Sequence, residues 1–133
     1  MKADRNVEVG WEIPSLGKTT YSPKVDFEVT QIHDNDYAKA RGFRGDLVGG
    51  NFLTSYVLEL LYRYFGDQWW KYGRIDVTFI GGGAVTGDEL VAKGVVTSKQ
   101  AENSGVRLFL DIRLENHTTG NKILVGTASC RVP

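Results

Sequence analysis

One histidine, the carboxylates beside it and a pair of glycines are the residues of this chain whose types and spacing can do chemistry together. His33 stands in the run His33-Asp34-Asn35-Asp36. An imidazole, with a reference pKa of about 6.5, gives and takes protons near neutral pH. Asp34 and Asp36 supply carboxylates that can orient such a ring. Gly49-Gly50-Asn51 opens the most strongly helical stretch of the sequence. The first N–H groups of a helix have no partner inside it and carry the positive end of its dipole, so they suit an oxygen that develops negative charge. Glycine lets a ligand approach that backbone closely. Each residue also has a plainer role: His33 as a loop imidazole bonded to nearby backbone, Asp34 as a helix cap, and Gly49-Gly50 as a tight entry to the helix.

Other candidates point to structure. Cys130 lies in an alternating apolar segment and reads as a buried strand thiol. His117 sits near a turn and reads as structural. Trp69-Trp70 reads as core or subunit packing ahead of the lining of a channel for an acyl or pantetheine group. Phosphate loops, dinucleotide fingerprints and cysteine–histidine metal spacings find no match. Gly81-Gly82-Gly83 is too short for a phosphate loop and falls between expected strands.

These residues need elements to hold them. Val7 to Ile13 alternates loosely up to Pro14, which predicts a short or edge strand. Lys24 to Ile32 alternates clearly, with Val25, Phe27 and Val29 on one face, and predicts a strand. Asp34 as cap and Gly42 as stop bracket a helix of about two turns over 34–41. From Gly49 to Phe65, Phe52, Leu53, Tyr56, Val57, Leu60, Leu61 and Tyr64 recur at helical spacing. Asn51, Ser55, Glu59 and Arg63 form a narrow polar stripe. A helix this apolar has to be wrapped by other structure. Strands follow over 74–79, 89–97, 107–115 and 122–132, separated by turn signals at 81–83, 86–88, 103–105 and 119–121. Short turns imply an antiparallel sheet. One curved sheet around one helix is the packing that covers it, an α+β arrangement.

The chain has 133 residues, one domain's worth, with 16 Lys plus Arg against 16 Asp plus Glu. A net charge of zero gathers neither nucleic acid nor an anionic membrane surface. A local basic patch for a phosphorylated group is still allowed, because net charge says nothing of patches. The one cysteine cannot form an internal disulfide, so the fold does not depend on an oxidising compartment. The start of the sequence has no apolar core of a secretory signal, and no apolar run approaches the roughly 20 residues that span a bilayer. The expectation is a cytoplasmic protein.

The stretch HDNDYAKARGFRGDLVGGNFLTSY, from His33 to Tyr56, resembles the motif of the MaoC-like hydratases. It has a histidine, an acidic Tyr-Ala-containing helix, a Gly-Phe pair, then an apolar pair and the glycine that opens a central helix. Tyr72 to Phe79, Thr86-Gly87-Asp88-Glu89-Leu90, and Glu115-Asn116-His117 through Gly126-Thr127-Ala128 are similar to later parts of that family. The likeness covers the chain from about residue 25 onward.

It implies a hot-dog fold over 1–133, a long helix wrapped by a curved antiparallel sheet. It also implies addition or removal of water at the double bond of a 2-enoyl thioester of coenzyme A or acyl carrier protein. The thioester is a substrate, and no resident cofactor or metal is expected. On this resemblance His33 takes the place of the catalytic histidine. Glu28 takes that of an aspartate five residues earlier, and Thr30 and Gln31 those of an asparagine and a proline. Gly50 matches the helix-opening glycine that faces the thioester oxygen, with Gly49 and Asn51 flanking it. The extra methylene of Glu28 shifts its carboxylate, and a misplacement of about 1 Å can cost around a hundredfold in rate. Asp34 and Asp36 remain alternatives. Hot-dog thioesterases carry a catalytic carboxylate on the central helix, which Glu59 can supply, so thioester hydrolysis is a second reading. A non-catalytic acyl-binding or partner subunit is a third. Association is expected, as a homodimer or with a related hot-dog subunit, because one copy leaves a helix flank and a sheet edge uncovered.

Overall fold

The structure is a computed structural model and describes residues 3–21 and 47–133. The strand expected over 24–32 and the short helix expected over 34–41 lie outside the described residues.

The expected long helix is present as α1, Gly50–Phe65. Leu53, Val57, Leu60, Leu61, Tyr64 and Phe65 are buried on it, while Asn51, Ser55 and Arg63 are exposed. That is the apolar face and polar stripe of the sequence pattern. Gly66 ends α1 in a left-handed conformation (φ 65°), its N–H donating to the Tyr62 carbonyl. A one-turn helix, α2 (Gln68–Tyr72), follows and turns Trp69 into the core, where its ring stacks on Phe65 at 6.1 Å. Trp70 is 67% exposed, so of the pair only Trp69 packs inside.

Among the described residues, five strands form one antiparallel sheet: β1 (Leu16–Thr19), β2 (Arg74–Phe79), β3 (Glu89–Glu102), β4 (Gly105–Asn116) and β5 (Lys122–Val132). Their spatial order is β1-β3-β4-β5-β2. Leu108, Leu110, Ile112 and Leu114 of β4 are buried, as the alternation required. Together with Leu90, Ala92 and Val96 of β3 and Leu124, Ala128 and Cys130 of β5 they form one cluster with α1. The sheet therefore covers the helix.

The expected strand over 7–13 is not formed. Gly10 takes φ +93°, which breaks an extended run, and the segment instead straps the edge of β3. It is tied there by Gly10 N–H to Val96, Ile13 N–H to Gly94 and Val96 N–H to Trp11, and by a lone bridge from Glu12 to Val95. The edge strand is β1, after Pro14. β3 runs past the expected end at Thr97 because a bulge between Val96 and Ser98 resets the register. Beyond it Thr97 to Ala101 of β3 are exposed, although Leu108 opposite Lys99 is buried, so the alternation that would have marked the end of β3 is missing. Asn103 and Ser104 both take positive φ in the two-residue turn to β4, as a twisted hairpin demands.

On the outer face, Glu115 gathers two cations and an imidazole. Its carboxylate meets Lys93 at 2.9 Å, Arg113 at 2.8 Å and His117 at 3.0 Å. His117 thus belongs to a surface ion cluster, as its structural reading expected. The hydrogen bonds from His117, Lys93 and Arg113 hold the Glu115 carboxyl down at about 2.

Two stability predictions follow from this packing. Leu61 is fully buried in α1, so Leu61→Ala lowers the unfolding free energy by about 2–5 kcal/mol in a denaturant titration, whereas the volume-conserving Leu61→Met costs under about 1.5 kcal/mol. Glu115 has a depressed folded pKa, so its contribution is present above the ordinary value of 4.5 and is lost as pH falls toward 2. Glu115→Gln removes on the order of 1 kcal/mol at neutral pH and flattens the acid limb of the stability curve, since this cluster is partly screened by solvent.

Candidate functional site

The mouth of α1 is built from three pieces of chain. Gly49 is the N-cap in an extended conformation (φ −64°, ψ 148°) with no side-chain cap. Its carbonyl takes the N–H groups of Phe52 and Leu53 at 3.0 and 3.2 Å. The N–H groups of Gly50 and Asn51 have no acceptor among the described residues. Both residues are exposed, and no acidic residue occupies the first turn. Two donors and the positive end of a sixteen-residue helix therefore face outward with no carboxylate of their own turn to neutralise them.

The ring of Phe79, at the end of β2, lies against this mouth. A Cβ added at Gly50 would stand 3.4 Å from the Phe79 Cζ atom, an ordinary contact. Phe79 and Ile80 are 49% and 53% exposed, so the donors sit beside an open apolar surface. Polar donors flanked by apolar side chains suit a ligand with one oxygen to be gripped and a hydrocarbon part to be covered.

The chain leading into the helix is held by the 83–88 loop. Val48 donates to the Ala84 carbonyl at 2.9 Å, and Leu47 bridges Val85. That loop is fixed by a buried polar clasp. The Asp88 carboxylate accepts from the Val85 N–H at 3.0 Å and from Asn116 Nδ2 at 2.8 Å. Asn116 Oδ1 in turn accepts from the N–H groups of Thr118 and Thr119. Thr20 Oγ1 donates to the Val85 and Asp88 carbonyls. All three polar residues are at most 2% exposed. Buried polar groups that are satisfied this fully fix one loop geometry. Asn116 entered the sequence reading only within the Glu115-Asn116-His117 segment of the resemblance, and Thr20 not at all. The Thr86-Gly87-Asp88 turn was the one sign of this clasp, and a buried asparagine at a strand end leaves no periodic trace.

Of the candidate residues, Gly49, Gly50 and Asn51 come together at this mouth. His33, Glu28 and Asp34 lie outside the described residues, as does Asp36. Glu59 faces away from the mouth in function: its carboxylate pairs with Lys18 at 2.9 Å and with Arg63 at 3.2 Å. It lies nine residues into α1, about 13 Å from the entry. Cys130 is fully buried, and burial pushes its thiol up to about 11, which leaves it protonated and inert at neutral pH. Burial, then Tyr21 and Glu59, raise Tyr56, so its phenol keeps its proton. Among the described residues no His, Cys, Asp and Glu group has the makings of a metal site, and no helix is long and apolar enough to cross a membrane.

No family model matches the chain, and no curated protein does. Solved structures do. An (R)-hydratase from A. caviae involved in PHA biosynthesis superimposes with a TM-score of 0.75 at 22% identity, over 97% of this chain and 99% of that one. A MaoC-like dehydratase gives a TM-score of 0.80 at 18% identity, over 96% of this chain and 41% of that one. A mutant of the fluoroacetyl-CoA-specific thioesterase FlK matches less well, with a TM-score of 0.57 at 12% identity, over 95% of this chain and 87% of that one. The helix wrapped by a five-stranded antiparallel sheet is thus the hot-dog fold, in the form shared with (R)-hydratases and MaoC-like dehydratases.

Proposed function

We propose that this chain is a MaoC-like hydratase or dehydratase acting on a 2-enoyl thioester of coenzyme A or acyl carrier protein, with residues 1–133 forming a single hot-dog domain. The observation that carries this reading is the helix mouth: two N–H groups without acceptors among the described residues, at Gly50 and Asn51, beside the exposed Phe79 ring.

Hydration needs a negative charge to be borne briefly by the thioester oxygen. A base takes a proton from water, the hydroxide adds to the β-carbon, and the electron pair of the double bond moves to form an enolate. The Gly50 and Asn51 amides are suited to bind that enolate oxygen, and donors fixed in advance by a helix cost no reorganisation when charge develops. A proton then passes to the α-carbon. In the proposal His33 handles the proton, with Glu28 or Asp34 as its carboxylate partner, and dehydration runs the same steps backward. The carrier is substrate rather than cofactor. The open sheet edges favour association with a second copy or a related hot-dog subunit.

Glu59 weighs against the thioesterase reading. A carboxylate that is to activate water gains nothing from two cations that already occupy it, and Lys18 and Arg63 both do. The higher TM-scores of the hydratase and dehydratase structures run the same way.

The test is direct. Purified protein consumes the conjugated absorbance of a short 2-enoyl-CoA, and His33→Ala lowers kcat/KM by about a hundredfold or more while the folded fraction is unchanged. Gly50→Ala separates an oxyanion role from a merely structural one. The Phe79 contact tolerates the methyl, so the melting temperature stays within a few degrees, yet kcat falls by about tenfold or more because the substrate oxygen is held off the amides. Absence of turnover on both enoyl-CoA and enoyl-acyl carrier protein would end the hydratase reading and leave a non-catalytic acyl-binding subunit. Release of free thiol would point to hydrolysis instead.

A further inference from the structure

At the opposite end of β2 from Phe79, the outer face of the sheet carries a concavity of about 370 Å³. Its lining is Tyr72, Arg74, Glu102, Asn103, Arg107 and Arg131. Three guanidinium groups against one carboxylate make a local excess of positive charge on a chain whose formal net charge is zero.

The three arginines are held differently. Arg107 is almost fully buried and spends its donors on the protein. Its Nε and Nη2 atoms bond the Glu102 carboxylate, and its Nη1 atom bonds the Tyr72 carbonyl and the Ser129 hydroxyl. It forms a fixed positive floor. Arg131 uses Nε and Nη2 on the Glu102 and Asn103 carbonyls, which sets its guanidinium over the Tyr72 ring, 5.0 Å from the centroid. Arg74 is exposed, and among the described residues no hydrogen bond or ion pair holds its side chain. All three act on the one carboxylate: the hydrogen bond from Arg107, and then the charges of Arg107, Arg74 and Arg131, lower Glu102. The next row on this face holds Asp76 and Asp111, each opposite Thr127, so the positive field is confined to the hairpin end.

We infer that this concavity binds the phosphate-bearing nucleotide end of a coenzyme A carrier, an assignment that rests on the acyl-thioester reading above. Arginine forks match phosphate oxygens in geometry and charge. With one guanidinium neutralised by Glu102, two remain for a ligand that carries more than one phosphate. The Arg131–Tyr72 stack adds a flat surface on which a base can lie. The spacing fits as well. Arg74 opens β2 on the outer face and Phe79, whose ring lies against Gly50, closes it on the helix side, so an arm from the patch to the helix mouth runs about 17 Å along this strand and round the end of the sheet that β2 forms among the described residues. That is the order of an extended pantetheine arm. A phosphopantetheine on a carrier protein shares the phosphate chemistry but brings a single phosphate and no base.

Adenosine 3′,5′-bisphosphate and pantetheine 4′-phosphate are titrated into the full chain, with binding followed by calorimetry and by NMR shifts, alongside KM for a 2-enoyl-CoA. The expected result is that the bisphosphate binds, that added salt weakens it, and that Arg74→Glu weakens it by about tenfold while Arg74→Lys retains much of it. KM for enoyl-CoA rises in Arg74→Glu with kcat kept. No binding of the bisphosphate to wild type, or equal binding to Arg74→Glu, overturns the inference. Pantetheine phosphate bound as tightly as the bisphosphate overturns the nucleotide assignment. Enoyl-CoA turnover without bisphosphate binding removes this site and keeps the hydratase. Arg74-dependent bisphosphate binding without turnover keeps this site and removes the hydratase.

Discussion

Burying one apolar helix is the constraint from which the rest of this molecule follows. α1 presents Leu53, Val57, Leu60, Leu61, Tyr64 and Phe65 to the interior on one broad face. An isolated helix of that composition would expose more apolar surface than water tolerates, at roughly 25 cal/mol for each Å². A flat sheet touches a cylinder along a line, so covering it takes strands long enough to twist and curve. β3, β4 and β5, of 14, 12 and 11 residues, are longer than the usual strand of about five or six, and their buried faces form one cluster with the helix.

The same constraint creates the site. A helix gripped along its flanks is left uncovered at its first turn, and its first N–H groups have no partners of their own. Elsewhere such an end is capped by a serine, threonine or aspartate, but here the cap is Gly49, with no side chain to offer. The donors thus have no acceptor among the described residues. What a side-chain cap would have supplied in rigidity comes from a distance, through Val48 on Ala84 and the Asp88–Asn116–Thr20 clasp beneath. The clasp holds the backbone and the glycines leave it without a side-chain cap.

Much of this was legible in the sequence, and the gaps have physical causes. The helix showed itself because every third or fourth residue from Phe52 onward is apolar, and β4 because Leu108 to Leu114 alternates without a break. Both signals record burial on one face. Where burial stops, so does the signal: β3 beyond Thr97 is all exposed up to Ala101, and no periodic pattern there calls for a longer strand. The segment before Pro14 misled in the opposite way. Its loose alternation was real, but Gly10 at φ +93° turns the chain, which a period-two pattern cannot register. At the site, Gly49, Gly50 and Asn51 could be located because glycines before a helix are a local mark. Asn116 could not, because its partners Asp88 and Gly83 are 28 and 33 residues away and nothing in the local run announces them.

Charge makes a parallel point. A balanced composition excludes a large field but leaves the placement of each ion open, and two ends of β4 use it differently. At Glu115 one carboxylate is surrounded by Lys93, Arg113 and His117, and the cluster is closed upon itself. At Glu102 one carboxylate meets Arg107, with Arg131 drawn aside onto carbonyls and Tyr72 and with Arg74 left exposed. In the first arrangement each of the three side chains bonds the carboxylate directly. In the second the buried Arg107 fixes the carboxylate, and the cations around it outnumber what that carboxylate can neutralise. An arginine confined to 5% exposure has given up its hydration, which is worthwhile structurally only because Glu102, Tyr72 and Ser129 replace it in full. Arg131 replaces part of its hydration with the Glu102 and Asn103 carbonyls, whereas Arg74 has no such partner among the described residues, and it is on Arg74 that the proposed anion site turns.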